Sequence, residues 1–145
     1  MKHTARILIV DDEPDVLLLL RIELEAEGFE TLLAADGETA LRRIVEERPD
    51  VVLLDVMMPV VDGWGVLQRL ADQGSTTKVI VLSAKASTSD IAHALELGAH
   101  EYVTKPFEPA ALLVTVAHVL QSSPADLEAG RHRRLEQLTG AKTFS

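Results

Sequence analysis

Three short apolar runs in this chain stop at residues whose side chains can do chemistry, and a fourth short segment leads to another. Ile7 to Val10 runs into Asp11 and Asp12, Val51 to Leu54 into Asp55, and Val79 to Leu82 into Ser83 and Ala84, while Glu101 to Val103 leads to Lys105 and Pro106. Taken singly, most of these have plain explanations. Paired acids in a loop are usually solvated or cap a helix, a lysine before a proline is usually a surface group, and a serine can simply satisfy backbone. Asp55 is harder to dismiss, because a lone carboxylate at the end of so apolar a run is costly to bury unless it is paired. Three carboxylates gathered in one place repel and need a cation. Oxygen donors without histidine or cysteine favour Mg2+ over zinc. A carboxylate can attack a phosphoryl group, whose equatorial oxygens then need neutralising. Mg2+ and Lys105 would supply that charge, and Ser83 a hydrogen bond.

These residues meet only if the runs are strands of one sheet. Short β-branched runs alternate with longer helical patterns, the signature of βα units and a parallel sheet. Five units can be read, with strands at Arg6 to Val10, Glu30 to Ala34, Val51 to Leu54, Lys78 to Leu82 and Glu101 to Val103. The most apolar of them lack in/out alternation, as expected for strands covered on both faces. Pro14 and Gly28 bracket a first helix with Leu17, Leu20 and Leu24 at helical spacing, and Asp36 caps a second that runs to Arg48. The third spans Gly63 to Asp72. Ser87 with Asp90 forms a capping box for a fourth ending near Gly98, and Pro109 opens a fifth that runs to Gln121. In open sheets of this kind the site lies beyond the C-terminal strand ends. That is where the chemical residues fall.

The whole chain bounds the possibilities. Its 145 residues, 47% hydrophobic, suffice for one domain with a sizeable core. Its apolar runs are far too short to span a bilayer, and no signal-peptide pattern opens the chain, so a cytoplasmic protein with no membrane role is expected. There is no cysteine, hence no disulfide or thiolate metal site. Lys plus Arg is 14 against Asp plus Glu 23, a formal charge of −9, the wrong sign for attraction to nucleic acid.

The segments ILIVDDEPDV at Ile7 to Val16, VVLLDVMMPVVDGWGVL at Val51 to Leu67, VIVLSAK at Val79 to Lys85 and GAHEYVTKPF at Gly98 to Phe107 carry a further reading. Over residues 5–121 the chain resembles the receiver domain of two-component response regulators. That resemblance implies a flavodoxin-like, doubly wound α/β fold, (βα)5, with sheet order 2-1-3-4-5. It implies that Asp55 accepts a phosphoryl group from a phosphohistidine on a sensor histidine kinase or phosphotransfer protein and that the domain later hydrolyses it. The chain is then a signalling phosphoacceptor rather than an enzyme. By position, Asp12 and Asp55 would bind Mg2+ directly, Asp11 through water and Met57 through its backbone carbonyl. Ser83, Ala84, Tyr102, Lys105 and Pro106 would form the phosphoryl-binding and switch set, with Tyr102 turning inward as the Ser83 hydroxyl moves. The readout would be a remodelled face of helix four, strand five and helix five, used by a downstream protein partner or a homodimer.

Several features stand outside that set. Pro59 and Gly63 suit the turn after the acceptor, Gly65 departs from the usual polar helix former, and Met57 and Lys85 flank the phosphoryl position, where they would influence how fast it is lost. Trp64 is expected to pack at the core or its rim, and the histidines show no metal-ligand spacing. Helix five is apolar nearly all round, which suggests a covered face. In the winged-helix branch of the family that face dimerises through arginines. Here His93 and Thr115 replace them, while Glu101 and Lys105 remain. Residues 122–145 form an extension, expected to be partly helical, in which Ser122 to Pro124 act as linker or cap and Arg131 to Arg134 as a solvated face. The chain is read as a stand-alone response regulator, or alternatively as the receiver half of a DNA-binding transcriptional regulator lacking its effector domain. A Mg2+-dependent phosphatase with an aspartate nucleophile would need a second aspartate two residues after the first on strand one. Asp11-Asp12-Glu13 breaks that spacing.

Overall fold

A computed structural model describes residues 4–57, 62–85 and 87–140. Pro59 and His3 lie outside the described residues. Five strands, β1 (Arg6–Val10), β2 (Glu30–Ala34), β3 (Val51–Asp55), β4 (Lys78–Ser83) and β5 (Glu101–Thr104), alternate with α1 (Pro14–Ala26), α2 (Gly37–Glu47), α3 (Gly63–Asp72), α4 (Thr88–Glu96) and α5 (Pro109–Gln121). A sixth helix, α6 (Pro124–Thr139), follows. The sheet is parallel, in the order β2-β1-β3-β4-β5.

The missing alternation in the central strands has its cause in two cores. Leu8, Val10, Val52, Leu54, Val79 and Val81 point to one face and pack with Ile44, Val66, Leu67, Leu70 and Ala94 of α2, α3 and α4. Their neighbours Ile7, Ile9, Val51, Leu53, Ile80 and Leu82 point to the other, against Leu20 and Leu24 of α1 and Leu112, Val116 and Val119 of α5. Side chains still alternate faces at every residue, but both faces are dry, so both are apolar.

Local chemistry sets the helix ends. Asp36 accepts from the Thr39 N–H at 2.7 Å, Asp62 from Gly65 at 3.0 Å and Ser87 from Asp90 at 3.1 Å, each satisfying an orphan donor of a first turn. Gly28 takes a left-handed φ of 92° just past α1, which lets the chain turn straight into β2. Three strands run one residue beyond the apolar run, to Asp55, Ser83 and Thr104, because the polar residue at each end still pairs along the ladder. Trp64 is half-buried at the rim of the first core, its ring centroid 4.8 Å from that of His93 on α4.

Candidate functional site

Strand register assembles the site. Val10 lies opposite Leu54 in the β1–β3 ladder, so Asp11 sits beside Asp55 one residue on. Asp55 lies opposite Leu82 and Ser83 opposite Thr104, which brings Ser83 and Lys105 to the same edge. Two backbone bonds extend the ladders past the strand ends: the Lys105 N–H donates to the Ser83 carbonyl at 2.8 Å, and Asp11 N–H to the Ala34 carbonyl at 3.1 Å.

Asp11 is 0% and Asp55 3% exposed, so two carboxylates are buried side by side. Each is partly compensated by backbone: Asp11 accepts from the Glu13 N–H and Asp55 from the Met57 N–H, both at 2.9 Å. The Lys105 ammonium lies between them, 2.6 Å from Asp11 and 3.4 Å from Asp55. Burial pushes the Asp55 carboxyl above its ordinary range, and the charge of Asp11 adds to that, while Met57 and Lys105 oppose it. For Lys105, burial alone would favour loss of the proton, but the bond to Asp11 and the two negative charges outweigh it and hold the ammonium above its ordinary value.

Asp12 is exposed at the mouth of the cluster. Carboxylate oxygens of Asp11, Asp12 and Asp55 lie within 4.8 Å of one another, close enough to share one ion, and an all-oxygen donor set suits a hard divalent cation. Ser83 is fully buried, and its hydroxyl accepts from the Lys85 N–H at 3.1 Å. Tyr102 is turned inward, 5% exposed, and donates its hydroxyl to the Lys85 carbonyl at 2.5 Å. Ala84, Lys85 and Pro106 are exposed, Met57 is 46% exposed, and the Lys105–Pro106 peptide is cis. All the site residues expected from the sequence thus fall at one edge of the sheet. Asp11, Asp55 and Lys105 touch directly.

One residue acts differently from its sequence reading. Gly63 suits a turn, but its tighter constraint is contact: a Cβ there would fall 2.8 Å from the Asp55 carbonyl carbon and closer still to that carbonyl's oxygen and the Val56 Cα. The start of α3 thus lies directly on the peptide that carries Asp55. The glycine flags such an approach in sequence only when its distant neighbour is known.

The Arg131 to Arg134 cluster is not a uniformly solvated face. The Arg131 side chain is 14% exposed and donates to the Leu95 carbonyl at the end of α4, at 2.8 Å, and Arg134 pairs with Glu101 of β5 at 3.0 Å. Only His132 and Arg133 are left facing solvent. Helical periodicity is the reason, since positions 131 and 134 share a face with Leu127 and 132 and 133 do not. Glu101, which the sequence left free for a dimer contact, is engaged within the chain.

A doubly wound sheet with an acidic, lysine-bearing edge defines a class, and comparison specifies it. Residues 7–117 match the response regulator receiver domain family, and the chain belongs to that family. It is 41% identical over 118 residues to the alkaline phosphatase synthesis transcriptional regulatory protein PhoP of Bacillus subtilis, covering 81% of this chain and 49% of that one. It is 44% identical to the transcriptional regulatory protein PrrA of Mycobacterium tuberculosis, covering 81% and 51%. The chain spans about half the length of these curated relatives. Among solved structures, the receiver domain of the Francisella response regulator 1452 superposes with a TM-score of 0.78 at 34% identity, covering 81% of this chain and 98% of that one. Among the described residues, no helix is long and apolar enough to cross a membrane.

Proposed function

We propose that Asp55 accepts a phosphoryl group from a phosphohistidine on a histidine kinase or phosphotransfer protein, in a reaction that depends on Mg2+. The observation that carries this reading is a buried carboxylate held beside a second one, with a single ammonium between them. An Asp55 oxygen forms the new P–O bond as the P–N bond to imidazole breaks, and the imidazole nitrogen keeps the electron pair. Asp11, Asp12, Asp55 and the Met57 carbonyl would hold Mg2+, which supplies positive charge to the transferring oxygens. Lys105 turns from Asp11 to the phosphoryl oxygens, and the Ser83 hydroxyl gives up its Lys85 contact to donate to them. Ala84 and Pro106 flank the two groups and fix where they can reach. Tyr102, anchored on the Lys85 carbonyl, links the movement to β5. The domain acts once per phosphoryl group received and hydrolyses its own acyl phosphate, so it is a signalling acceptor rather than a turnover enzyme.

Incubation with Mg2+ and acetyl phosphate, followed by intact mass, tests the reading. One added phosphoryl group is expected on the wild type and none on Asp55→Asn. Equal labelling of the two proteins, or none on the wild type, would refute it. A second reading is supported by the relatives, which are named transcriptional regulators and are about twice as long: the domain would be the receiver half of such a regulator. The test is whether the natural reading frame continues beyond Ser145 into a DNA-binding domain.

A further inference from the structure

A signal written on Asp55 must be read at a surface, and the chain already covers part of one. α6 starts at Ser123, whose hydroxyl accepts from the Asp126 N–H at 3.1 Å, with Pro124 in its first turn. Leu127 is 6% exposed and completes the core beneath α5. Arg131 reaches the last turn of α4, donating to the Leu95 carbonyl at 2.8 Å, and is itself steadied by an ion pair with Glu128. Arg134 pairs with Glu101, the first residue of β5, at 3.0 Å. These three residues are spaced by four and three, one face of a helix. A helix of 16 residues with a glycine at position 130 is marginal in water by itself, so this docked face sustains it.

The two arginines hold different elements. Leu95 belongs to α4, whose other end follows the loop that leaves β4 at Ser83, and Glu101 opens the strand whose other end delivers Lys105. If a phosphoryl group on Asp55 drew Ser83 and Lys105 inward together, α4 would shift relative to β5. Arg131 and Arg134 sit less than one turn apart on a rigid rod and cannot follow both. We propose that α6 is a cover in cis over the α4–β5 face and that its docking is antagonistic to phosphorylation of Asp55, each weakening the other. The proposal rests on the phosphoacceptor reading above. By linkage, whatever factor the phosphoryl group costs α6 docking, loss of docking must return in affinity for the phosphoryl group.

The test uses the full chain, with Mg2+ and beryllofluoride as a non-hydrolysable phosphoryl analogue. Trp64 is the sole tryptophan, and its contact with His93 on α4 makes its fluorescence a monitor of binding. Amide exchange across residues 124–139 reports docking. Beryllofluoride is expected to speed exchange in α6 by about fivefold or more, and Arg131→Ala with Arg134→Ala to tighten beryllofluoride binding by a similar factor. Gly130→Ala should act in the opposite sense. Its Cβ would meet only the Arg133 guanidinium, at 3.8 Å. The gain in helix propensity should then weaken beryllofluoride binding by up to about fivefold. Reversing the pair with Glu101→Arg and Arg134→Glu should restore wild-type affinity where either change alone raises it. If beryllofluoride binds the wild type while exchange in α6 is unchanged or slower, the antagonism is wrong and the phosphoacceptor reading stands. If it fails to bind the wild type, or binds Asp55→Asn equally well, that reading falls and the proposal falls with it.

Discussion

Adding one methyl group at Gly63 should disable the site from outside it. In Gly63→Ala the new Cβ would stand 2.8 Å from the Asp55 carbonyl carbon, with the carbonyl oxygen and the Val56 Cα nearer. Every one of these atoms is backbone, so no rotamer change relieves the clash. Reaching an ordinary contact at 3.4 Å requires the β3 end and the α3 start to separate by at least about 0.6 Å. Overpacking of this kind costs about 1–3 kcal/mol in a well-packed core, and more where the neighbour cannot yield. Alanine recovers up to about 1 kcal/mol of helix propensity at an interior position and less in a first turn, so the clash wins. The displaced peptide is the one that carries the proposed acceptor, and a misplacement of about 1 Å at a reacting group can cost on the order of 100-fold in rate. Urea unfolding should show a lower midpoint with an unchanged slope, and acetyl phosphate labelling followed by intact mass should slow at least tenfold, roughly. A variant with wild-type midpoint and labelling rate would show that the α3 start does not bear on Asp55.

The remaining predictions concern charge. Lys105→Met leaves Asp11 and Asp55 buried without their cation, and breaking a buried pair typically costs about 3–5 kcal/mol. Urea midpoints in EDTA should fall accordingly, and Mg2+ should recover more stability for the variant than for wild type; equal Mg2+ effects would contradict this. His100 is held below its ordinary value, first by burial and then by Arg131, with Lys78 adding to the effect and Glu128 opposing it. The folded state therefore refuses a proton that the unfolded chain accepts: the stability is complete above the ordinary histidine value and is lost as pH falls below it. The slope should not exceed about 1.4 kcal/mol per pH unit, and His100→Gln should abolish it in urea titrations between about pH 5 and 7. Arg134 and Glu101 are each about one-third exposed, so a double-mutant cycle on stability should give only about 0.2–1 kcal/mol of coupling.

Much of this was legible in the sequence because the strongest constraints are local. Apolar runs ending in Asp11, Asp55 and Ser83 mark the strands and their polar ends together, and Asp36, Ser87 and Pro109 mark helix starts whatever the rest of the chain does. The features that escaped depend on long-range contact. Arg131 docks on a backbone carbonyl, which no side-chain pattern reveals, and its partner Leu95 is 36 residues away. A single buried leucine in α6 likewise gives too thin a stripe to distinguish a docked helix from a solvated one. Gly63 suits a turn on sequence alone because the atoms that exclude a side chain there belong to a different element.

The resting geometry also bears on why Asp55 and not Asp11 is proposed as the acceptor, although both are buried carboxylates at the ends of adjacent strands. Lys105 is 0.8 Å nearer to Asp11 than to Asp55, so the ammonium compensates Asp11 first. Asp55 keeps the weaker share, and burial pushes its carboxyl upward. A carboxylate held at 2.6 Å by the ammonium gives up more of that contact to attack than Asp55, which holds it at 3.4 Å. Counting the four side chains, three carboxylates against one ammonium leave two negative charges, the amount one divalent cation offsets. A divalent cation there would offset the charge of Asp11, so that Lys105 could leave it without stranding a buried carboxylate. On the proposed reading, the division of labour between the two aspartates follows from where β5 sets down its lysine.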